Sequence, residues 1–315
     1  MQQDWSPLVH IEWPNGWSAK RATALLNGDR GVTDSACEDE VEHVIARLFP
    51  RANRVVLEEL NRVARSPDTA RRPAVRHDAL VFLAREDDKT AVIVKLLTRL
   101  KAEREQSNYD NYINGQVDGN RFAVMDARQN LWTVGGHVFK LIGFTGNDIL
   151  TFDDLYTEPL GEPTAQAFKD EVLIDILHDF FGTIWKRNQG RSRPFSGSLF
   201  QLYDQNWNGK LTQRLGEFKN RPATFSASKP ISPTLPDPLR WLSGHNDLSS
   251  FDNVFEAIVH GDLHGENLLL DNKHFAWVID YEDTGYGHVL RDYAELVQNI
   301  ATRLRPDMDD DLTWL

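Results

Sequence analysis

The chain has 315 residues, 41% hydrophobic and 26% charged, enough to bury a sizeable core as one bilobal unit or two small domains. Lys plus Arg number 35 against 47 Asp plus Glu, a formal charge of −12, so no nucleic-acid partner and no anionic membrane partner is expected. Cys37 is the only cysteine, which excludes an intrachain disulfide and a cysteine-based zinc site; with no basic-then-apolar leader and no apolar run of membrane length, the expected location is cytoplasmic.

Met1 to Thr33 reads as polar and irregular, with Trp5, Trp13 and Trp17 set between prolines and glycines as a packing cluster or an interaction surface. Ser35-Ala36-Cys37-Glu38 has the form of a capping box, and Val41, Val44, Ile45 and Leu48 give the helix behind it one apolar face up to Pro50. Val55 to Leu60 and Ala79 to Ala84 are expected as paired strands. The intervening 61–78 contains no glycine and carries Arg62, Arg65, Arg71, Arg72 and Arg76, either phosphate donors or a solvated basic loop. After a turn at Asp87-Asp88-Lys89, Thr90 to Leu97 is a strand, and its period of two puts Ile93 and Lys95 on one face. A lysine there has a plain alternative, solubilising an edge strand.

Lys101 to Asn114 has a helical pattern closed by Gly115. Glu105, Tyr109, Tyr112 and Ile113 share its packed stripe, whereas Glu103 points away. A glutamate on a packed face wants a cation, and Lys95 is the candidate; an exposed pairing of Glu105 along its own helix is the plain alternative. Leu131 to Val134 and His137 to Ile142 are expected as a hairpin turning at Gly135-Gly136. Thr151 to Asp154 resembles a helix start, and Thr164 to Arg187 is a long helix on which His178 reads as a core or surface residue rather than a ligand. One helix, about Leu202 to Phe218, is expected in the irregular, proline-rich stretch that follows.

The stretch with most chemistry runs from His260 to Asp283, H-G-D-L-H-G-E-N-L-L-L-D-N-K-H-F-A-W-V-I-D-Y-E-D. Val254 to Val259 leads in as a buried strand. Leu268 to Leu270 and Phe275 to Ile279 form a hairpin whose second strand is covered on both faces. Asp262, Asn267 and Asp280 would then converge at one end of it. Asp262-x-x-x-x-Asn267 has the spacing of a kinase catalytic loop, and Asp280 stands where a metal-binding aspartate would follow. In that chemistry a carboxylate meets the acceptor hydroxyl and oxygen ligands hold Mg²⁺ against nucleotide phosphates. Beyond it, Thr284 to His288 reads as a loop, and Leu290, Ala294, Val297 and Leu304 as the buried stripe of a last helix.

H-G-D-L-H-G-E-N followed by W-V-I-D-Y-E-D resembles the aminoglycoside phosphotransferase and choline kinase-like branch of the protein-kinase-like superfamily. More narrowly, I-D-Y-E-D-T-G-Y-G-H-V-L-R-D with the upstream N-Y-D-N-Y-I resembles the phosphotransferase-like, ternary-complex-associated domain of bacterial conflict systems. The resemblance implies an α+β, bilobal fold. A leading extension would occupy 1–50, a small β-rich N-lobe 51–143, and a larger, mainly helical C-lobe 144–315 with an irregular insertion at 188–242. Relatives of this kind usually continue with more helices, so either a clipped C-lobe or an incomplete acceptor site is expected.

By the same resemblance, Asp262 is the catalytic carboxylate, with His264 beside phosphate or acceptor. Lys95 and Glu105 serve the nucleotide, and Asn267 and Asp280 the metal. His260 braces the loop, while Asp292 either orients it by hydrogen bonds or is an ordinary first-turn acid. The implied cofactors are ATP and Mg²⁺. The implied partners are a nucleotide, an unidentified hydroxyl acceptor and proteins of a conflict system. Two rivals remain: a pseudokinase or docking module without turnover, and a metal-dependent phosphoesterase using Asp262 and His264 as ligands.

Overall fold

A computed structural model describes residues 9–27, 38–59, 79–87, 89–115, 122–140, 150–157, 174, 177, 178, 191–207, 209–219, 254–270 and 276–303. The glycine-free 61–78, nearly all of the helix expected over 164–187 and the proline-rich 220–253 lie outside these residues.

The N-terminal half is a six-stranded sheet with two helices behind it and one in front. In order across the sheet the strands are β1 (His10–Glu12), β2 (Arg54–Glu59), β3 (Ala79–Glu86), β4 (Val92–Thr98), β6 (Val134–Lys140) and β5 (Val124–Asn130). Only the β1–β2 pairing is parallel. Alternation along β4 divides its side chains: Val94 and Leu96 join a core with α1 (Ala19–Asn27) and α2 (Glu38–Leu48), while Ile93 joins the core shared with the C-terminal half. β4 lies inside the sheet, not at its edge, so the solubilising reading of Lys95 falls.

The first 33 residues are less irregular than expected, since β1 and α1 arise within them. Trp13 and Trp17 set their edges on Phe82, at centroid distances of 5.8 and 5.0 Å. This is the packing use of those tryptophans; Trp5 lies outside the described residues. The capping box at 35–38 also begins outside them, but Val41, Val44, Ile45 and Leu48 are buried as the pattern predicts.

Gly135-Gly136 is not a turn. Both glycines lie inside β6, and the chain reverses at 131–133 between β5 and β6. A Cβ on Gly135 would come within 2.3 Å of the Ala102 Cβ, and one on Gly136 within 2.6 Å of Val44 Cγ1. The pair is small because α3 (Arg99–Asn108) closes on one face of β6 and α2 on the other. β5 escapes the periodicity because V-M-D-A-R-Q-N is a largely polar edge strand with a register shift between Met125 and Ala127.

Three smaller corrections follow the same logic. The helix expected over 101–114 starts at Arg99 and ends in a π turn, Tyr109–Ile113, where the Asn114 N–H reaches back to the Tyr109 carbonyl at 2.8 Å. The helix expected over 202–218 is two, α5 (Leu199–Asn206) and α6 (Lys210–Lys219), parted where Gly209 takes φ +76° and Asp204 caps the second through Thr212. The loop expected at 284–288 is instead a strand, β12 (Gly285–His288), paired with β9 (Phe255–Val259).

In the C-terminal half, β8 (Arg193–Pro194), β9 and β12 make one small sheet. β7 (Leu150–Thr151) joins the hairpin of β10 (Leu268–Leu270) and β11 (Ala276–Val278) in another. α4 (Phe152–Thr157) packs beside that hairpin. Every residue of β10 and β11 is buried, as the unbroken apolar runs require. The halves are fused at Tyr281. Its hydroxyl donates to the carbonyls of Ala123 and Val278, and its ring meets Tyr109, Phe122 and Phe139. The fold class is thus the expected α+β, with a β-rich N-terminal half. Among the described residues no helix is long and apolar enough to cross a membrane.

Candidate active site

β4 delivers Lys95 to the inner side of the sheet, 3% exposed, and α3 brings Glu105 to it, fully buried. The Lys95 ammonium lies 3.0 Å from Glu105 Oε1 and 2.8 Å from Asp280 Oδ1. Burial alone would push the ammonium towards neutrality, but the carboxylates of Asp280 and Glu105 outweigh it, and its pKa rises above the ordinary lysine range. Burial likewise opposes ionisation of Glu105. Lys95 and a hydrogen bond from His137 Nδ1, at 3.3 Å to Oε2, reverse that and hold its pKa below the usual carboxylate range. Glu105 Oε1 also accepts from the Tyr281 N–H at 3.0 Å. One carboxylate therefore ties the lysine strand to the backbone beside Asp280.

Asp280 ends the second hairpin strand with φ +72°, a left-handed conformation that is uncommon for a residue with a Cβ. The loop before the hairpin is held as tightly. Gly261 has φ +85°, and a Cβ there would sit 2.2 Å from the Asp283 carbonyl oxygen, so only glycine fits. His260 braces the loop: its Nε2–H donates to the Ile279 carbonyl at 2.8 Å. Asn267 Nδ2 donates to the Asp262 carbonyl at 2.7 Å, joining two of the expected site residues. His264 Nδ1 accepts from the Glu266 N–H at 3.2 Å, and its Nε2 stands 3.6 Å from Asp262 Oδ2.

The loop is fastened from behind by α7 (Arg291–Arg303). Asp292 accepts from the N–H groups of His260 and Gly261, at 2.8 and 2.9 Å, which is the orienting arrangement and not that of an ordinary first-turn acid. Glu295 accepts from the Leu263 N–H at 3.0 Å and Asn299 from the Gly265 N–H at 3.2 Å. Burial raises the pKa of both Asp292 and Glu295. Arg291 donates to the Gly261 carbonyl and pairs with Glu295.

This overturns the apolar stripe expected for the last helix. Leu290 precedes α7 and is 54% exposed, Val297 is 64% exposed, and Leu304 lies outside the described residues. The inward face is Asp292, Glu295, Leu296 and Asn299. Polar residues at i, i+3 and i+7 were the available signal, and following hydrophobicity alone passes over it. Sequence reasoning also missed His137, Arg291 and Asn108.

Lys95, Glu105 and Asp280 thus meet in one cluster, and Asp262, His264 and Asn267 form a second knot on the adjoining loop. The donor chemistry suits a hard divalent cation. Asp280 supplies a carboxylate, and Asn267 an amide oxygen once its amino group is taken by the Asp262 carbonyl. Among the described residues no group of three or more His, Cys, Asp or Glu could hold a metal unaided. Asp280 and Asn267 are oxygen donors of the kind that Mg²⁺ would take beside waters and substrate phosphates.

A lysine on an interior strand, a glutamate on the helix after it and an aspartate closing a distant hairpin meet as the kinase resemblance implied. Residues 210–312, which include the whole His260–Asp283 stretch and α7, match the family model described as Ternary complex associated domain 9. Among solved structures, an aminoglycoside-3′-phosphotransferase of type VIII is 15% identical over 72% of this chain and 74% of its own, with a TM-score of 0.40. Amicoumacin kinase hAmiN, in complex with AMP-PNP, Ca²⁺ and Ami, is 13% identical over 79% and 68%, with a TM-score of 0.38. The choline kinase LicA from Streptococcus pneumoniae is 13% identical over 70% and 66%, with a TM-score of 0.36. No curated protein matches the chain.

Proposed function

We propose that the chain is an ATP- and Mg²⁺-dependent phosphotransferase that moves the γ-phosphate to a hydroxyl of a small molecule or protein. The observation that carries this reading is the buried Lys95, held between Glu105 and Asp280. In this reading Lys95 binds nucleotide phosphate, and Glu105 keeps its ammonium aimed. Asp280 and Asn267 hold the metal, which neutralises charge on the phosphates. Asp262 accepts the proton of the acceptor hydroxyl as the oxygen attacks, with His264 beside it. Asp292, Glu295 and Asn299 keep the Asp262 loop rigid through its backbone. The assembly works in the cytoplasm, alongside proteins of a conflict system.

A second reading, a docking module that keeps the fold without turnover, is favoured by one observation: 61–78, between β2 and β3, has no glycine to let backbone N–H groups approach a phosphate closely. Thermal unfolding separates the two. Saturating Mg-ATP at a hundred times its Kd should stabilise the wild type by about 2.7 kcal/mol. Asp280→Ala should lose most of that gain. No stabilisation at millimolar Mg-ATP would leave the docking module ahead.

A further inference from the structure

Two stretches distinctive in the sequence, N-Y-D-N-Y-I at 108–113 and D-Y-E-D-T-G-Y at 280–286, are the two halves of one joint. Asn108 closes α3, and its Nδ2 donates to the carbonyls of Tyr281, at 3.3 Å, and Glu282, at 2.6 Å. Two carbonyl partners require the amino end of the amide, since the oxygen end has nothing to donate. Tyr109 packs on Tyr281 at 5.4 Å between centroids, and Tyr112 meets Tyr286 edge-on at 5.9 Å. Arg104 pairs with the Glu282 carboxylate from one turn earlier.

Tyr109 and Tyr112, three residues apart in the π turn at Tyr109–Ile113, both lie on this joint. Glu105 and Asn108 are three residues apart and so share a face of α3. Glu105 accepts the N–H just after Asp280, and Asn108 donates to the next two carbonyls. The helix therefore grips three backbone groups of the two residues that follow Asp280, whose φ of +72° needs outside support.

We propose that Asn108 is a positioning residue: by holding the carbonyls of Tyr281 and Glu282 it maintains the left-handed bend at Asp280 and so aims the Asp280 carboxylate. The consequence for the metal rests on the phosphotransferase reading above; the bend itself does not. Hydrogen–deuterium exchange on the full chain reads the bend without any ligand. In Asn108→Leu and Asn108→Asp, the second keeping the shape but losing the donors, peptides covering 280–285 should exchange up to about tenfold faster, the scale of one lost hydrogen bond. Peptides from α2, β3 and β4 should be unchanged, and Asn108→Gln, which keeps the donors, should restore protection.

In parallel, the Mg²⁺ concentration giving half the ATP-dependent thermal shift should rise about tenfold or more, as when a metal ligand loses its outer support. Binding of ATP without metal should be unaltered. Unchanged exchange at 280–285 overturns the proposal, as does a wild-type Mg²⁺ dependence in Asn108→Leu. A wild type that shows no Mg-ATP shift removes the phosphotransferase reading instead, and the exchange result alone then decides whether Asn108 holds the bend. Should Asn108→Leu not fold, Asn108→Ser, with one donor in place of two, is read by the same two measurements.

Discussion

Lys95 Nζ lies 2.8 Å from Asp280 Oδ1, although one residue sits on the fourth strand of the N-terminal sheet and the other ends a hairpin in the C-terminal half. Nothing local brings them together. Glu105 joins them, accepting from both the Lys95 ammonium and the Tyr281 N–H. A cation this buried exists only beside compensating charge, so the contact welds the two halves at the place where the proposed chemistry occurs.

Removing one member of that cluster should therefore cost more than removing the pair. Glu105→Ala should lose roughly 3–5 kcal/mol of stability, the usual penalty for stranding a buried charge. Lys95→Met combined with Glu105→Leu should recover part of it. Urea denaturation of the single and double variants gives the coupling; losses that simply add would contradict the assignment.

The acidic residues under the loop give stability a pH signature of opposite sign to that of Glu105. Burial raises the Asp292 pKa above its ordinary 3.8, so the folded state binds more protons than the unfolded state between those values. Stability should then fall as pH rises from about 3.8 through the raised value. Asp292→Asn should flatten that slope in chemical denaturation curves taken across pH. For Glu105, whose pKa is lowered, the contribution is present above 4.5 and lost as pH falls through the depressed value.

The twin glycines of β6 offer a test of which helix matters to the site. Gly135→Ala drives a Cβ into Ala102 of α3, and Gly136→Ala into Val44 of α2. Each should destabilise by about 1–3 kcal/mol through overpacking. Only Gly135→Ala should also weaken Mg-ATP binding, because α3 carries Glu105 and Asn108. Equal binding in both variants, measured by titration calorimetry, would count against that role of α3.

Asp262 and Asp280 should separate functionally. Asp262→Ala should keep the Mg-ATP thermal shift while losing phosphoryl transfer, measured as release or transfer of labelled γ-phosphate. General-base residues typically contribute 10²–10⁴-fold, so about that loss of rate is expected. Equal loss of nucleotide binding would mean that Asp262 holds the nucleotide instead.

Much of the site is legible in the sequence because it rests on short spacings: Asp262 to Asn267 across a loop, Asp280 at the end of an apolar strand, and Lys95 and Glu105 on elements adjacent in the chain. The fold is legible where periodicity is clean, as in α2, β4 and the β10–β11 hairpin. It misleads where one signal has two causes. Gly135-Gly136 looks like a turn because close helix approach and tight reversal both select glycine. α7 looks apolar outward because its buried face is occupied by hydrogen-bonding side chains that serve the loop backbone. Asn108 lies in a distinctive stretch, but its role cannot be read there because its partners are main-chain carbonyls far along the chain.

Isothermal titration of ATP into the full chain, with and without Mg²⁺, tests the central claim most directly when repeated on Lys95→Met and Asp280→Asn. The account predicts saturable, Mg²⁺-dependent binding to the wild type that each substitution weakens and that the double variant weakens by less than the sum. Absence of binding at millimolar Mg-ATP, or binding indifferent to both residues, would contradict it.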